Sequence, residues 1–249
     1  MKNLKRNRVI PVLLLKDGGL VKTYRFANEK YVGDPLNAIK IFNEKSCDEL
    51  VLFDIENSND SEIEFELIEK IAKQCRMPLT YGGNITSIKS IERLISSGVE
   101  RVTFSSSLLS NTTLIKEAID IVGAQSVVIV LDYKIENNLF SKARKVYFDN
   151  GTRSAGYNLE EAFSVFDEIG VGEIFLQNID NDGGRKGLDR DVITNFYGKY
   201  KTPFTICGGL SNIKEIKSIS DDFESVGIAG GAYFVFTGKF DSVLISYMD

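Results

Sequence analysis

Runs of β-branched and aromatic residues recur along the chain, with stretches of helical periodicity between them. The runs lie near residues 8–15, 49–55, 78–82, 101–105, 126–132, 173–178, 203–207 and 225–229. They do not alternate strictly between apolar and polar positions, which is the pattern of parallel strands covered on both faces. Between them, Pro35-Leu-Asn-Ala-Ile-Lys-Ile-Phe-Asn43 and Ser61-Glu-Ile-Glu-Phe-Glu-Leu-Ile-Glu-Lys-Ile71 place apolar residues at helical spacing, with charges intervening. Eight strand–helix units in 249 residues predict an α/β fold, a (β/α)8 TIM barrel forming a single domain over residues 1–249. An open doubly wound sheet would also supply eight alternations.

An internal repeat separates the two architectures. Asp48-Glu-Leu-Val-Leu-Phe-Asp-Ile55 corresponds to Gly172-Glu-Ile-Phe-Leu-Gln-Asn-Ile179 at an offset of 124 residues. Further on, Tyr81-Gly-Gly-Asn84 corresponds to Cys207-Gly-Gly-Leu210, and Phe104-Ser-Ser106 to Ile228-Ala-Gly230. Matching glycine turns after the third and fourth strands of each half are expected of two half-barrels, about residues 1–122 and 123–249, and not of an open sheet. The first strands of the halves, Arg8-Val-Ile-Pro-Val-Leu-Leu-Leu-Lys-Asp-Gly18 and Ser126-Val-Val-Ile-Val-Leu-Asp-Tyr-Lys134, differ in one place that matters chemically. The second carries a carboxylate, Asp132, where the first has Leu14. Such a barrel would carry a paired acid and base there, and one partner is missing.

The C-terminal strand ends of a barrel form its active face. Gly82, Gly83, Ser105 and Ser106 fall there in the first half, and Gly183, Gly208, Gly209, Gly230 and Gly231 in the second. Glycine permits close backbone approach, and amides opening a helix point toward an anion, so each half is a candidate phosphate cradle for a ligand phosphorylated at both ends. One Gly-Gly pair is ordinarily just a turn; pairs at repeat-related positions carry more weight. Asp132 is expected to end the fifth strand, and the acidic loop Ile179-Asp-Asn-Asp-Gly-Gly-Arg185 follows the sixth. For Asp180 and Asp182, turn or cap roles compete evenly with substrate contact. Lys16 and Lys22 are placed in the first loop, within reach of a phosphate or carbonyl, although a solvated lysine is the default there. At the opposite face, Arg8, Glu49, Arg101 and Glu173 start the first, second, fourth and sixth strands. They are read either as salt bridges capping the core or as a gate for something small passing along the axis. Glu136 to Gly151 reads as a β-hairpin inserted on the active face, with Asn150-Gly151 as its turn.

Composition narrows the chemistry. A hydrophobic content of 43% supports one large core, and the chain has no histidine. Asp, Glu, Lys, Ser, Tyr and Cys are then left for proton transfer, and histidine-ligated metals are excluded. A net charge of −5 argues against nucleic acid or an anionic membrane as partner. No stretch approaches the roughly 20 apolar residues of a membrane span, and the start Met1 to Arg8 lacks a signal core, so a cytoplasmic location is expected. Cys47, Cys75 and Cys207 are odd in number and lack metal-finger spacing, as packed or free thiols would be. Neither a metal nor a cofactor is expected.

Taken together, Lys16-Asp-Gly18 with Val21-Lys22, Gly33-Asp-Pro35, Asp48 to Asp54, Gly82-Gly83, Ile179-Asp-Asn-Asp-Gly183 and Gly208-Gly209 resemble the HisF-like family, the cyclase subunits of imidazole glycerol phosphate synthase, over essentially the whole chain. The resemblance implies a lyase/cyclase of histidine biosynthesis acting on a doubly phosphorylated aminoimidazole carboxamide ribonucleotide. It also implies a glutaminase (HisH-like) partner at the N-terminal barrel face and an ammonia gate of Arg8, Glu49, Arg101 and Glu173, with arginine in place of the usual lysine at 101. Asp132, Lys22 and Asp182 become the catalytic candidates, with Leu14 where the first-strand aspartate should stand. Losing one general acid or base typically costs about 10²–10⁴-fold in rate. Ser105-Ser106, Asn84, Gly184 and Gly230-Gly231 also depart from the family, all on the active face. The segments Arg8 to Lys22 and Tyr31-Val-Gly-Asp-Pro35 look closer to HisF-like paralogues encoded with surface-polysaccharide and lipopolysaccharide genes. Those work with a glutaminase-like partner and a separate sugar amidotransferase to turn an N-acetyl group into an acetamidino group. The expectation is an ammonia-delivering subunit of a glutamine amidotransferase-type complex. The alternatives are a cyclase that recruits Asp17 or Asp182 as its second acid, and a non-catalytic scaffold that activates a glutaminase without passing ammonia.

Overall fold

A computed structural model describes residues 7–56, 62–137 and 142–248. Its centre is a sheet of eight strands: β1 (Val9–Lys16), β2 (Leu50–Asp54), β3 (Leu79–Gly82), β4 (Arg101–Ser105), β5 (Val127–Asn137), β6 (Glu173–Asn178), β7 (Phe204–Cys207) and β8 (Gly227–Gly230). Each pairs in parallel with the next. β8 returns to β1 with Val9 opposite Ile228, so the sheet is a closed barrel and not an open one. The repeated segments occupy β2 and β6, and their glycine pairs follow in β3 and just after β7.

Helices α1 (Pro35–Glu44), α2 (Phe65–Gln74), α3 (Ile88–Ser96), α4 (Thr113–Val122), α5 (Leu159–Ile169), α6 (Arg190–Phe196), α7 (Ile213–Asp222) and α8 (Ala232–Val235) return the chain between strands and after β8. Their starts are written in the local sequence. The Asp34 carboxylate accepts the Asn37 amide at 2.9 Å just before Pro35, and Asn158 with Glu161 forms a reciprocal capping box. α2 begins at Phe65, four residues after the start of its periodic stretch. Ser61 itself lies outside the described residues, as do 57–60.

Strand alternation sorts the side chains into two layers. One set, including Leu13, Leu52, Leu79, Val102, Ile129, Leu131, Ile174 and Ile206, packs outward beneath the helices. The other set, Ile10, Val12, Val51, Val128, Val130, Phe175, Cys207 and Ala229 with Leu14 and Phe53, fills the barrel axis. At the N-terminal end of this column stand the four charged residues. Arg8 donates to Glu49 at 2.6 Å and to Glu173 at 2.7 Å, and Arg101 donates to the remaining oxygen of each. Thr80 and Thr205, on repeat-related strands, add hydroxyl donors to Glu49 and Glu173. Burial alone would raise the Glu173 carboxyl, but Arg8 and Arg101 together hold it below its ordinary value. The ring is therefore closed and internally compensated.

Two segments differ from their sequence reading. The first loop is a β-meander: Gly19–Tyr24 pairs antiparallel with β1, and Ala27–Gly33 pairs with Gly19–Tyr24. Lys22 therefore sits on a strand and is buried, not solvated in a mobile loop. The second is the insertion after β5, which is three-stranded. β5 runs five residues past Asp132, pairs with Lys142–Phe148, and that strand pairs with Arg153–Asn158. Asn150-Gly151 thus turns the second strand into the third, and not the first into the second; residues 138–141 lie outside the described residues. Arg144 pins the insertion to the barrel through two 2.8 Å bonds to Asp189, the N-cap of α6.

Glu173→Ala should leave two guanidinium groups sharing one carboxylate and destabilise the protein by about 3–5 kcal/mol, as read from urea unfolding. A loss below about 1 kcal/mol would mean that water compensates the ring.

Candidate functional site

The C-terminal strand ends open into a cavity of about 730 Å³. Val12 and Val130 belong both to the axial column and to the cavity lining, so the column ends at the cavity floor. Above them, on β1 and β5, stand Leu14 and Asp132. These strands lie four positions apart around the closed sheet, and the only carboxylate of this pair is Asp132.

Asp132 is half-buried, and no hydrogen bond or ion pair reaches its carboxylate among the described residues. Burial, and to a smaller extent the negative charge of Asp182, pushes its carboxyl up to about 7. A group that titrates near neutrality is suited to accept and return a proton at working pH. Lys22 and Asp182 are brought together, although 160 positions separate them in sequence. Lys22 Nζ donates to both carboxylate oxygens, at 2.9 and 3.1 Å, and to the Thr23 carbonyl at 2.8 Å. The Thr23 hydroxyl also donates to Asp182, and the Arg25 amide donates to its carbonyl, which ties the meander to the loop after β6. Asp180 does not line the cavity; its carboxylate accepts the Ile135 amide of β5 at 2.7 Å, a long-range link and not a turn or cap bond. Lys16 is paired with Glu29 at the cavity rim. Asp17 is exposed and does not line the cavity.

Of the glycine and serine positions, Gly82, Gly83, Ser105 and Gly231 line the cavity. Gly183, Gly208, Gly209 and Gly231, with Arg185, line a shallow depression of about 10 Å³ that shares Asp182, Cys207 and Gly231 with the cavity. Gly230 is not in either lining; a Cβ there would press on Leu210, so its glycine is a packing requirement. Gly82 likewise leaves room for Thr103, and Gly208 lies against the Asn178 backbone. Close packing accounts for these glycines without a ligand, which weakens the glycine signal as evidence for phosphate. Ser106 opens a 3-10 turn, Ser106–Ser110, and its side chain lies outside the described residues. Asn84 holds a left-handed conformation (φ +51°), which asparagine tolerates better than most residues.

Sequence reasoning did not assign a role to Asp54 at the end of β2. Asp54 lines the cavity, and burial raises its carboxyl even though the Glu56 amide and the Tyr81 hydroxyl both bond to it. Its place in the repeat, where the second half has Asn178, was the available signal.

The raised Asp132 value has a thermodynamic consequence. A carboxyl that holds its proton more tightly folded than unfolded stabilises the fold below about pH 4, and this is lost as pH rises through about 7. Asp132→Asn should therefore melt above the parent protein at pH 8, with the difference shrinking toward pH 5. An equal difference at both pH values in calorimetric scans would contradict the raised value.

Comparison with known proteins agrees with this geometry. The family described as "Histidine biosynthesis protein" matches residues 8–241. A Vibrio vulnificus protein provisionally named imidazole glycerol phosphate synthase subunit hisF3 is 44% identical, over 97% of this chain and 93% of its own. A Pseudomonas aeruginosa protein provisionally named subunit hisF2 is 43% identical, over 98% and 96%. The imidazole glycerol phosphate synthase subunit HisF of Lactococcus lactis (strain MG1363) is 33% identical, over 88% and 84%. Among the described residues no helix is long and apolar enough to cross a membrane. With a closed eight-stranded barrel, a four-residue charged ring at one end and a carboxylate-bearing cavity at the other, the chain belongs to the HisF-like histidine-biosynthesis family of barrel subunits.

Proposed function

We propose that this barrel receives ammonia from a HisH-like glutaminase docked at the ring end and delivers it to a ligand in the cavity. In this reading it is a diverged HisF paralogue whose own ring-closing chemistry has been lost or replaced. The observation that carries it is the contrast between the two ends of one column. At the N-terminal end all four ring residues are present and mutually bonded. At the other, Leu14 stands where a second proton-transferring group is needed. Between them Ile10, Val51, Val128 and Phe175 make an apolar path that favours neutral ammonia over ammonium. The hisF2 and hisF3 designations of the relatives at 43% and 44% identity are in keeping with a paralogue. Acetamidino modification of an N-acetyl sugar in surface-glycan synthesis, with a separate sugar amidotransferase, is the destination we assign to the ammonia.

In the delivery step Asp132 holds the position from which a carboxylate can take a proton from attacking ammonia, and Lys22 with Asp182 forms a fixed ion pair beside it. The authentic cyclase reading retains one supporting observation, a further cavity carboxyl, Asp54, that burial raises as it does Asp132. The purified protein, given the doubly phosphorylated histidine-pathway precursor and excess ammonium, should show no cyclase turnover while it stimulates its cognate glutaminase. Turnover that disappears in Asp54→Asn would instead establish a cyclase with a relocated acid. Arg8→Ala should leak or block ammonia in the complex. A loss of glutaminase binding with no change in ammonia transfer per bound complex would indicate a scaffold.

A further inference from the structure

The insertion after β5 has two unlike faces. β5 and the strand Lys142–Phe148 pair with Asp132 opposite Tyr147 and Lys134 opposite Lys145. Side chains alternate along each strand, so Tyr133, Arg144 and Val146 turn to one face. There Tyr133 and Val146 are buried and Arg144 is bonded to Asp189. The other face carries Asp132, Lys134, Lys145 and Tyr147. Asp132 and Asn150 line the cavity, so this face rises from the cavity's edge, with Lys134 two residues, or about 7 Å, beyond Asp132.

On that face two lysines stand directly opposite one another. Like charges in opposed positions of an antiparallel pair destabilise it, and among the described residues no carboxylate forms an ion pair with either ammonium. Lys134 is nonetheless held in place. Its Nζ donates to the Gly151 carbonyl at 2.5 Å and lies 4.6 Å from the centre of the Tyr147 ring. An ammonium has three donors, so two remain for a ligand. Lys145 is half-buried and makes no side-chain bond among the described residues. The carboxylates that act on Tyr147 are engaged elsewhere: Glu136 accepts the Tyr147 hydroxyl at 2.7 Å, and Asp180 accepts the Ile135 amide. By contrast, the lysines that line the cavity, Lys16 and Lys22, are each paired with a carboxylate.

We propose that Lys134 and Lys145 form an anion site on the mouth face of the insertion, which holds a phosphoryl group of a ligand whose other end reaches Asp132. A doubly charged phosphoryl group set between the two ammonium groups turns their repulsion into attraction. The site lies on neither set of glycine turns. It deepens the proposed function by making the ammonia acceptor a sugar that carries phosphate, and it rests on that reading for this alone. Its test is anion binding without glutaminase, so the site can fail while ammonia coupling holds, and the reverse.

Titration calorimetry of the whole chain with pyrophosphate at low salt decides it. Lys145→Gln should weaken binding at least about fivefold, since one charge-assisted contact is removed and no bond of the unliganded fold is lost. Lys142→Gln takes an equal charge from the opposite face of the same strand and should leave binding within about twofold of the parent. Without ligand, Lys145→Gln should melt at or above the parent's temperature, because opposed like charges are relieved. N-acetylglucosamine 1-phosphate and uridine diphosphate N-acetylglucosamine distinguish a terminal phosphate from a bridging diphosphate, and the tighter of the two should show the same dependence on Lys145. The site is overturned if pyrophosphate fails to bind at millimolar concentration or if Lys145→Gln binds it as the parent does. Equal weakening in Lys142→Gln would reduce it to diffuse attraction, and a clear drop in the melting temperature of Lys145→Gln would make Lys145 a structural residue; either overturns it as well.

Discussion

Closing eight parallel strands into a barrel turns every second side chain onto one axis, and the character of this protein follows from what stands there. Along β1 the inward positions read Arg8, Ile10, Val12 and Leu14; along β6 they read Glu173, Phe175 and Gln177. A one-residue slip of either strand would carry charge into the layer beneath the helices and apolar residues out of the column. The same register that packs the core therefore also builds the ring and the cavity.

The two ends of the column handle charge in opposite ways. At the ring, Glu49 and Glu173 are almost fully buried, at 3% and 4% exposure. Burial is tolerable because each carboxylate meets two guanidinium groups and a threonine hydroxyl. At the cavity, the half-buried Asp132 has no cation bonded to it, and the charge that acts on it is that of another carboxylate, Asp182. The compensated end suits stable closure. The uncompensated end holds its proton tightly enough to keep it until near neutral pH, where it can exchange it, at a cost in stability of the kind active sites commonly carry.

Between these ends, two irregular segments shape the mouth. The meander after β1 and the three-stranded insertion after β5 follow the first strands of the two halves, and each is fastened by a long-range ion pair. Lys22 with Asp182 holds one and Arg144 with Asp189 holds the other. Residues 26–29 of the meander and Asn150 of the insertion then reach the cavity lining. The two segments thus wall the mouth on their sides, each fastened to the loop beyond β6.

Much of the fold was legible in the sequence. Strand runs and helix caps are local, set by alternation, side-chain shape and donors within four residues, so the eight strands fell within about two residues of their expected starts. The internal repeat supplied the closure, and strand starts supplied the ring. Asp132 and its missing partner were visible because the repeat aligned them. Local pattern gave less where glycine was the signal, since glycine records close approach without saying whether the neighbour is ligand or chain, and at Gly230 it is Leu210. The sequence by itself determined the barrel, its polarity and the identity of the residues on its axis, because these depend on period and register. Only the tertiary structure decided that Lys22 is a buried partner of Asp182, that Asp54 enters the cavity, and that both lysines lining the cavity are already paired with carboxylates. Those depend on contacts between residues far apart in the chain, for which sequence spacing sets no distance.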